Sequence, residues 1–153
     1  MEKYKGISGW LLLLCLTLTV INPLKNILGY ASSYRTMIAK SYYTVPGIHT
    51  FFMLNLCLLT IVIVFSVYAG IMLFKVRPSS VKIAKVFLLF ESICSILFSM
   101  FPCLAGVPQE LANSMMIVLL KNTAATLVWN AVWYIYINKS RRVATTYGNA
   151  SAK

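Results

Sequence analysis

Glu91 stands inside an apolar stretch, Phe87 to Met100. A carboxylate at bilayer depth costs roughly 2.5 kcal/mol or more on insertion scales. Such a group must be paired, neutralised or used. Lys121, in the following apolar stretch, is the other ionisable residue deep in an expected span. Ser95 and Ser99 follow Glu91 at i+4 and i+8 and share its helix face, which makes a polar stripe running outward. Asn122, Thr126 and Asn130 are spaced by four and share a face by the same rule. Asn55, in an earlier stretch, is a candidate third member. At 1.5 Å per residue, Glu91 lies near the midpoint of a span over 81–101 and Lys121 roughly 12 Å deep in the next, depths that agree within about two turns. Three roles are open to the pair. It can pin the register of the bundle, since buried pairs contribute specificity more than stability. Lys121 can snorkel to the headgroups while Glu91 stays neutral. Or the two can line a hydrated path for protons, ions or a small solute.

Other chemistry is poorly supported. His49 is the single histidine, so a metal site lacks companions. Cys15, Cys57, Cys94 and Cys103 form no C-x-x-C pair. There is no Asp, no phosphate-binding glycine loop and no G-x-S-x-G elbow, and Glu110 is a lone loop carboxylate. No cofactor is implied and enzymatic activity is not expected.

The elements that must hold these residues follow from composition. Apolar residues make up 59% of the 153 residues and charged residues 11%, against about 45–50% and 25% in soluble chains. The apolar residues fall into four runs, each near the roughly 20 residues that span a bilayer. The expected fold is all-α, a single membrane domain over 1–153 made of one four-helix bundle. Its spans cover about 7–21 (or kinked and continuing towards 30), 49–74, 81–101 and 113–137, with 138–153 as a tail. Pro23 lacks a backbone donor and kinks or ends the first helix, and a kink in lipid survives where neighbours satisfy the freed carbonyl. The opening fits a signal peptide loosely, but Pro23 and Lys25 lengthen the region before Gly29 and Ala31, which argues against cleavage. Asn22 to Ile48 reads as the longest connection, with Lys25, Arg35, Lys40 and Tyr30, Tyr34, Tyr42 and Tyr43 as interfacial anchors. Ser66 and Gly70 form a small-xxx-small pair that lets another helix approach closely. Trp129, Trp133, Tyr134 and Tyr136 read as an aromatic belt.

The net charge is +11, but the basic residues flank the apolar runs instead of forming a stripe with interleaved aromatics, which points to anionic headgroups and not nucleic acid. Ten of them (Lys3, Lys5, Lys75, Arg77, Lys82, Lys85, Lys139, Arg141, Arg142 and Lys153) lie on the side of the termini. The positive-inside rule then places both termini in the cytoplasm.

The opening Gly6-Ile7-Ser8-Gly9-Trp10-Leu11-Leu12-Leu13, followed by Asn22-Pro23-Leu24, resembles the start of the small bacterial inner-membrane group known as domain-of-unknown-function family 2569. The close, Ser140-Arg141-Arg142-Val143 with Thr146-Tyr147, is similar to that family's S-K-R-V-x-x-T-F ending. Ser8 stands where the family often has Gly, and Arg141 where Lys is common. The resemblance implies a four-span protein of the bacterial inner membrane and supplies no activity. Three functions are then open. The first is an accessory protein that stabilises or regulates a larger complex, through a membrane-protein partner or self-association. The second is a small solute or proton-coupled transporter working through Glu91 and Lys121. The third, by analogy of size and charge, is an immunity-type protein against a pore-forming toxin.

Overall fold

The computed structural model describes residues 9–39, 42–77 and 79–148, apart from the Tyr43 side chain. Lys3, Lys5, Gly6, Ile7, Ser8, Lys40, Pro78 and Lys153, the start of the first expected span and the end of the tail lie outside those residues. Four long helices carry the fold: α1 (Trp10–Ala39), α2 (Ile48–Phe74), α3 (Ser80–Leu104) and α4 (Gln109–Lys139). A short helix, α5 (Arg141–Tyr147), follows, and a 3-10 turn, Tyr42–Thr44, joins α1 to α2. Each long helix is long and apolar enough to cross a membrane, so the chain is an all-α, multi-pass membrane protein. Each packs chiefly on its neighbours in the chain, α1 on α2, α2 on α3 and α3 on α4. One end of the bundle, here the terminal end, holds Gly9, the α2–α3 turn and α5. The other, the loop end, holds the α1–α2 and α3–α4 connections.

The first helix departs most from the sequence expectation. Asn22-Pro23 neither ends it nor opens a loop, and the helix continues to Ala39. Lys25, expected in a connection, therefore stands halfway along α1. The chain absorbs the proline by widening the preceding turn into a π-helical segment, Thr17–Ile21, in which the Asn22 N–H reaches back to the Thr17 carbonyl. The Leu18 carbonyl is thereby stranded. Its usual donor, Asn22, is engaged one residue earlier, and the next residue, Pro23, has no N–H. Ser66 of α2 supplies the missing donor, its hydroxyl lying 2.7 Å from the Leu18 oxygen. Gly70, one turn along, completes the fit: a Cβ there would run into Thr19 and Leu18.

Two apolar clusters divide the bundle lengthwise. The terminal half is filled by Leu11, Leu14, Leu18, Leu73, Val81 and Phe87, closed by Trp133, Val143 and Tyr147. The loop half is filled by rings, with Phe51, Phe52, Phe98 and Phe101 in successive edge or tilted contacts. Gly47, in the left-handed region at φ 81°, lies so close to the Ala105–Val107 backbone that a Cβ would overlap it, so the two connections at this end interlock. Helix α3 runs past the expected limit of 101 to Leu104, with Pro102 in its last turn and the Pro102 carbonyl accepting the Val107 N–H; α4 begins at Gln109, directly after Pro108 and before the expected 113.

Within the tail, residues 141–147 form α5. Ser140 caps α5, its hydroxyl accepting the Val143 N–H. Val143 and Tyr147, four residues apart on one face, are buried under the bundle.

The α1–α2 contact makes two predictions. Ser66→Ala leaves the Leu18 carbonyl without a donor in the bilayer and is expected to cost about 1–3 kcal/mol. Gly70→Val forces α2 away from the π segment and is expected to cost about 1–3 kcal/mol. Unfolding followed by circular dichroism in mixed micelles measures both, and a Gly70→Val protein as stable as the parent would contradict the close approach.

Candidate functional site

Glu91 lies at the centre of α3, 9% exposed. Its Oε1 accepts a hydrogen bond from Asn22 Nδ2 at 3.1 Å. Asn22 is delivered by the turn that follows the π segment, so the same distortion that admits Pro23 sets the donor against α3. Asn130 of α4 closes the other side. Its Nδ2 donates to the Leu88 carbonyl at 3.3 Å and to Ser92 Oγ at 3.2 Å, and these two residues bracket Glu91 along α3. Lys25 stands one turn beyond Asn22 on α1. Three buried polar atoms here have no hydrogen-bond partner: Glu91 Oε2, Asn130 Oδ1 and Trp133 Nε1. Asn130 and Trp133 are one turn apart on α4. The arrangement is thus a polar cluster joining α1, α3 and α4 in the middle of the bundle.

Lys121 is not part of it. Asn130 is level with Glu91, and Lys121 lies nine residues away, two and a half turns at about 3.6 residues per turn. A half-integral number of turns puts it on the opposite side of α4, where it is exposed. The expected Glu91–Lys121 pair is therefore replaced by a Glu91–Asn22 hydrogen bond with Lys25 as the nearby cation. The stripe expected from Asn122, Thr126 and Asn130 also turns out of the interface: Asn122 is exposed, Thr126 half-buried and Asn130 buried. The buried face of α4 instead runs through Thr123, Asn130, Trp133 and Ile137, spaced by seven, three and four. Thr123 Oγ1 donates to the Ser95 carbonyl at 2.9 Å.

The serines above Glu91 line no open path. Ser95 donates to the Ser92 carbonyl and the buried Ser99 to the Ile96 carbonyl, both within α3. Asn55 is half-buried on α2 and takes no part in the contacts of Glu91. A groove of about 250 Å³ between α3 and α4 is lined by Leu88, Ser92, Leu127, Asn130 and Tyr134, without Glu91. His49 is exposed at the loop end. Among the described residues no three of His, Cys, Asp or Glu gather where they would hold a metal ion.

Asn22 and Lys25 were not legible as members of the site. The signal for Asn22 was present, because Leu11, Leu14, Cys15 and Leu18 mark the buried face of α1 and Asn22 stands four residues further along it. Nothing local marks Lys25.

The two ends of the chain meet at the terminal end. A Cβ on Gly9 would lie 2.9 Å from Arg142 Nη1, and the Trp10 ring meets Trp133 edge-on at 6.3 Å. Tyr147 donates its phenol hydrogen to the Leu73 carbonyl at 2.8 Å and lies against Cys15. The G-W-L-L and S-R-R-V segments are therefore two halves of one closure.

Two predictions follow from these contacts. Asn22→Leu leaves the buried Glu91 carboxyl without its donor and is expected to cost about 1–3 kcal/mol. Adding Glu91→Leu should recover part of that loss, and additive effects in the double-mutant cycle would show that the two residues do not couple. At Tyr147, burial first and the Cys15 thiol second push the phenol up from its ordinary value. A raised folded value means that the docking of α5 is complete below the unfolded value of about 10 and weakens as pH rises through the folded one. Trp133 fluorescence across an alkaline titration should report release of α5 in the parent, and Tyr147→Phe should lack that step.

A family model described as protein of unknown function (DUF2569) matches residues 4–148, which takes in both end segments and all four long helices. No curated protein and no solved structure matches the chain.

Proposed function

The chain belongs to the DUF2569 family over nearly its whole length, and from its own geometry we propose that it is an accessory protein of the bacterial inner membrane, docking a partner in the bilayer through α4. The observation that carries this reading is the imbalance of burial among the helices. Over its most apolar stretch α4 is 11% buried, against 28–33% for the other three. Its exposed side carries Lys121 and Asn122 within the span. Polar groups that face lipid are costly, whereas polar groups that face a neighbouring helix act as glue.

The buried polar groups support a structural use of the bundle interior. Asn22, Ser66, Thr123 and Asn130 all bond across helix interfaces. This favours a binding protein over an enzyme. A proton-coupled carrier would use Glu91, whose Oε2 has no partner. Against it, the loop half beyond Glu91 is packed with rings, and the serine hydroxyls turn back into α3.

Lys75, Arg77, Lys82, Lys85, Lys139, Arg141 and Arg142 all lie at the terminal end. That concentration supports a cytoplasmic terminal end resting on anionic headgroups.

Photo-cross-linking in intact cells tests the docking role. A benzophenone side chain at Ala125, on the exposed side of α4, is expected to give a discrete protein adduct. The same probe at Val64, exposed on α2, is expected to give none. Absence of an adduct from Ala125 across several growth conditions would remove the docking role.

A further inference from the structure

We infer that the open face of α4 takes a transmembrane helix of a different protein, one that carries a carboxylate at the depth of Lys121. The inference rests on the docking role proposed above and adds the chemistry of the occupant. The hydrogen bond from Thr123 to the Ser95 carbonyl fixes the level of α4 against α3. Lys121 stands two residues nearer the loop end than Thr123, which leaves it roughly 10 Å inside the end of α3 at 1.5 Å per residue. Around it on the same side of α4 lie Ile117, Val118, Ala125, Val128 and Val132, all exposed. They form a continuous apolar stripe with one positive charge and, one turn from it, a small residue that admits a neighbouring backbone.

Among the described residues no carboxylate faces Lys121. The chain contains three acidic residues. Glu91 is buried on the other side of α3–α4 packing and bonded to Asn22. Glu110 stands in the first turn of the same helix as Lys121, eleven residues and roughly 16 Å away. Glu2 lies outside the described residues. Lys25, the other cation at mid-helix, differs in place: it stands on α1 one turn beyond Asn22, whose amide holds Glu91. A second copy does not fit the face either. Two identical chains inserted the same way round are related by an axis along the membrane normal, so Lys121 would meet Lys121 at the same depth. Charge complementarity thus selects a heterologous helix with an intramembrane Asp or Glu. Such a group is itself costly in lipid and is relieved by the same contact.

The test uses the full chain in vesicles of zwitterionic lipid, labelled for energy transfer to synthetic polyleucine transmembrane peptides. One peptide has a single Asp at the matching depth, a second has Asn there and a third Leu. The Asp peptide is expected to associate about tenfold more tightly than the Leu peptide. Lys121→Leu should abolish that preference and Lys121→Arg should keep it. Equal association of the three peptides, or a preference unchanged in Lys121→Leu, would overturn the inference. The cellular adduct from Ala125 separates the two levels of the proposal. Its loss in Lys121→Leu supports the carboxylate partner. Its persistence in Lys121→Leu overturns the carboxylate while leaving the docking role standing. An adduct with the mass of two copies of this chain overturns the heterologous partner.

Discussion

The bundle depends on the Leu18 carbonyl finding a donor. In hydrocarbon an unpaired backbone oxygen costs several kcal/mol, and no water is present to relieve it. Pro23 withholds one donor and the π turn engages the other. The hydroxyl of Ser66 must then come within bonding distance, which requires a side chain as small as Gly70's one turn away. Once α1 and α2 are locked in this way, the turn after the distortion carries Asn22 towards α3, and Glu91 obtains the amide it bonds to. The polar cluster at mid-bundle is thus downstream of a proline that a soluble helix would rarely tolerate.

The four spans were legible because hydrophobic length is a strong signal in membrane chains. The angular position of polar residues was not. Residues spaced by four drift by about 40° per step on a helix of 3.6 residues per turn. The series Asn130, Thr126, Asn122 therefore leaves the interface within two steps. An apolar helix in lipid has no strongly polar side to show which way it faces, so Thr123 and Asn130 did not announce the inward side. Glu91 was legible as a group needing satisfaction, but the choice of Lys121 over Asn22 followed charge where the geometry follows register. The continuation of α1 through Lys25, Ser32, Ser33 and Arg35 was hidden for a related reason: polar composition reads as a connection even where the backbone stays helical. In α5 the signal consists of two buried side chains, Val143 and Tyr147, too few to establish a period.

The ionisable groups at mid-helix meet different physical situations. Glu91 is buried and hydrogen-bonded to Asn22. Lys121 is on the surface among aliphatic side chains. The first situation is self-contained and serves the bundle. The second has no carboxylate beside it among the described residues. Distributing polarity in this way, satisfied inside and unsatisfied on one flank, gives a small membrane protein both a defined fold and a directional surface.

The latch between Tyr147 and Leu73 has a consequence for how the protein is made. Residues 141–147 follow all four spans in the chain, so the terminal core around Leu11, Cys15 and Leu73 stays open until α5 has been made and has folded back onto it. Insertion of the spans and closure of this core are therefore separate events, the second waiting on a segment that lies outside the bilayer-crossing helices.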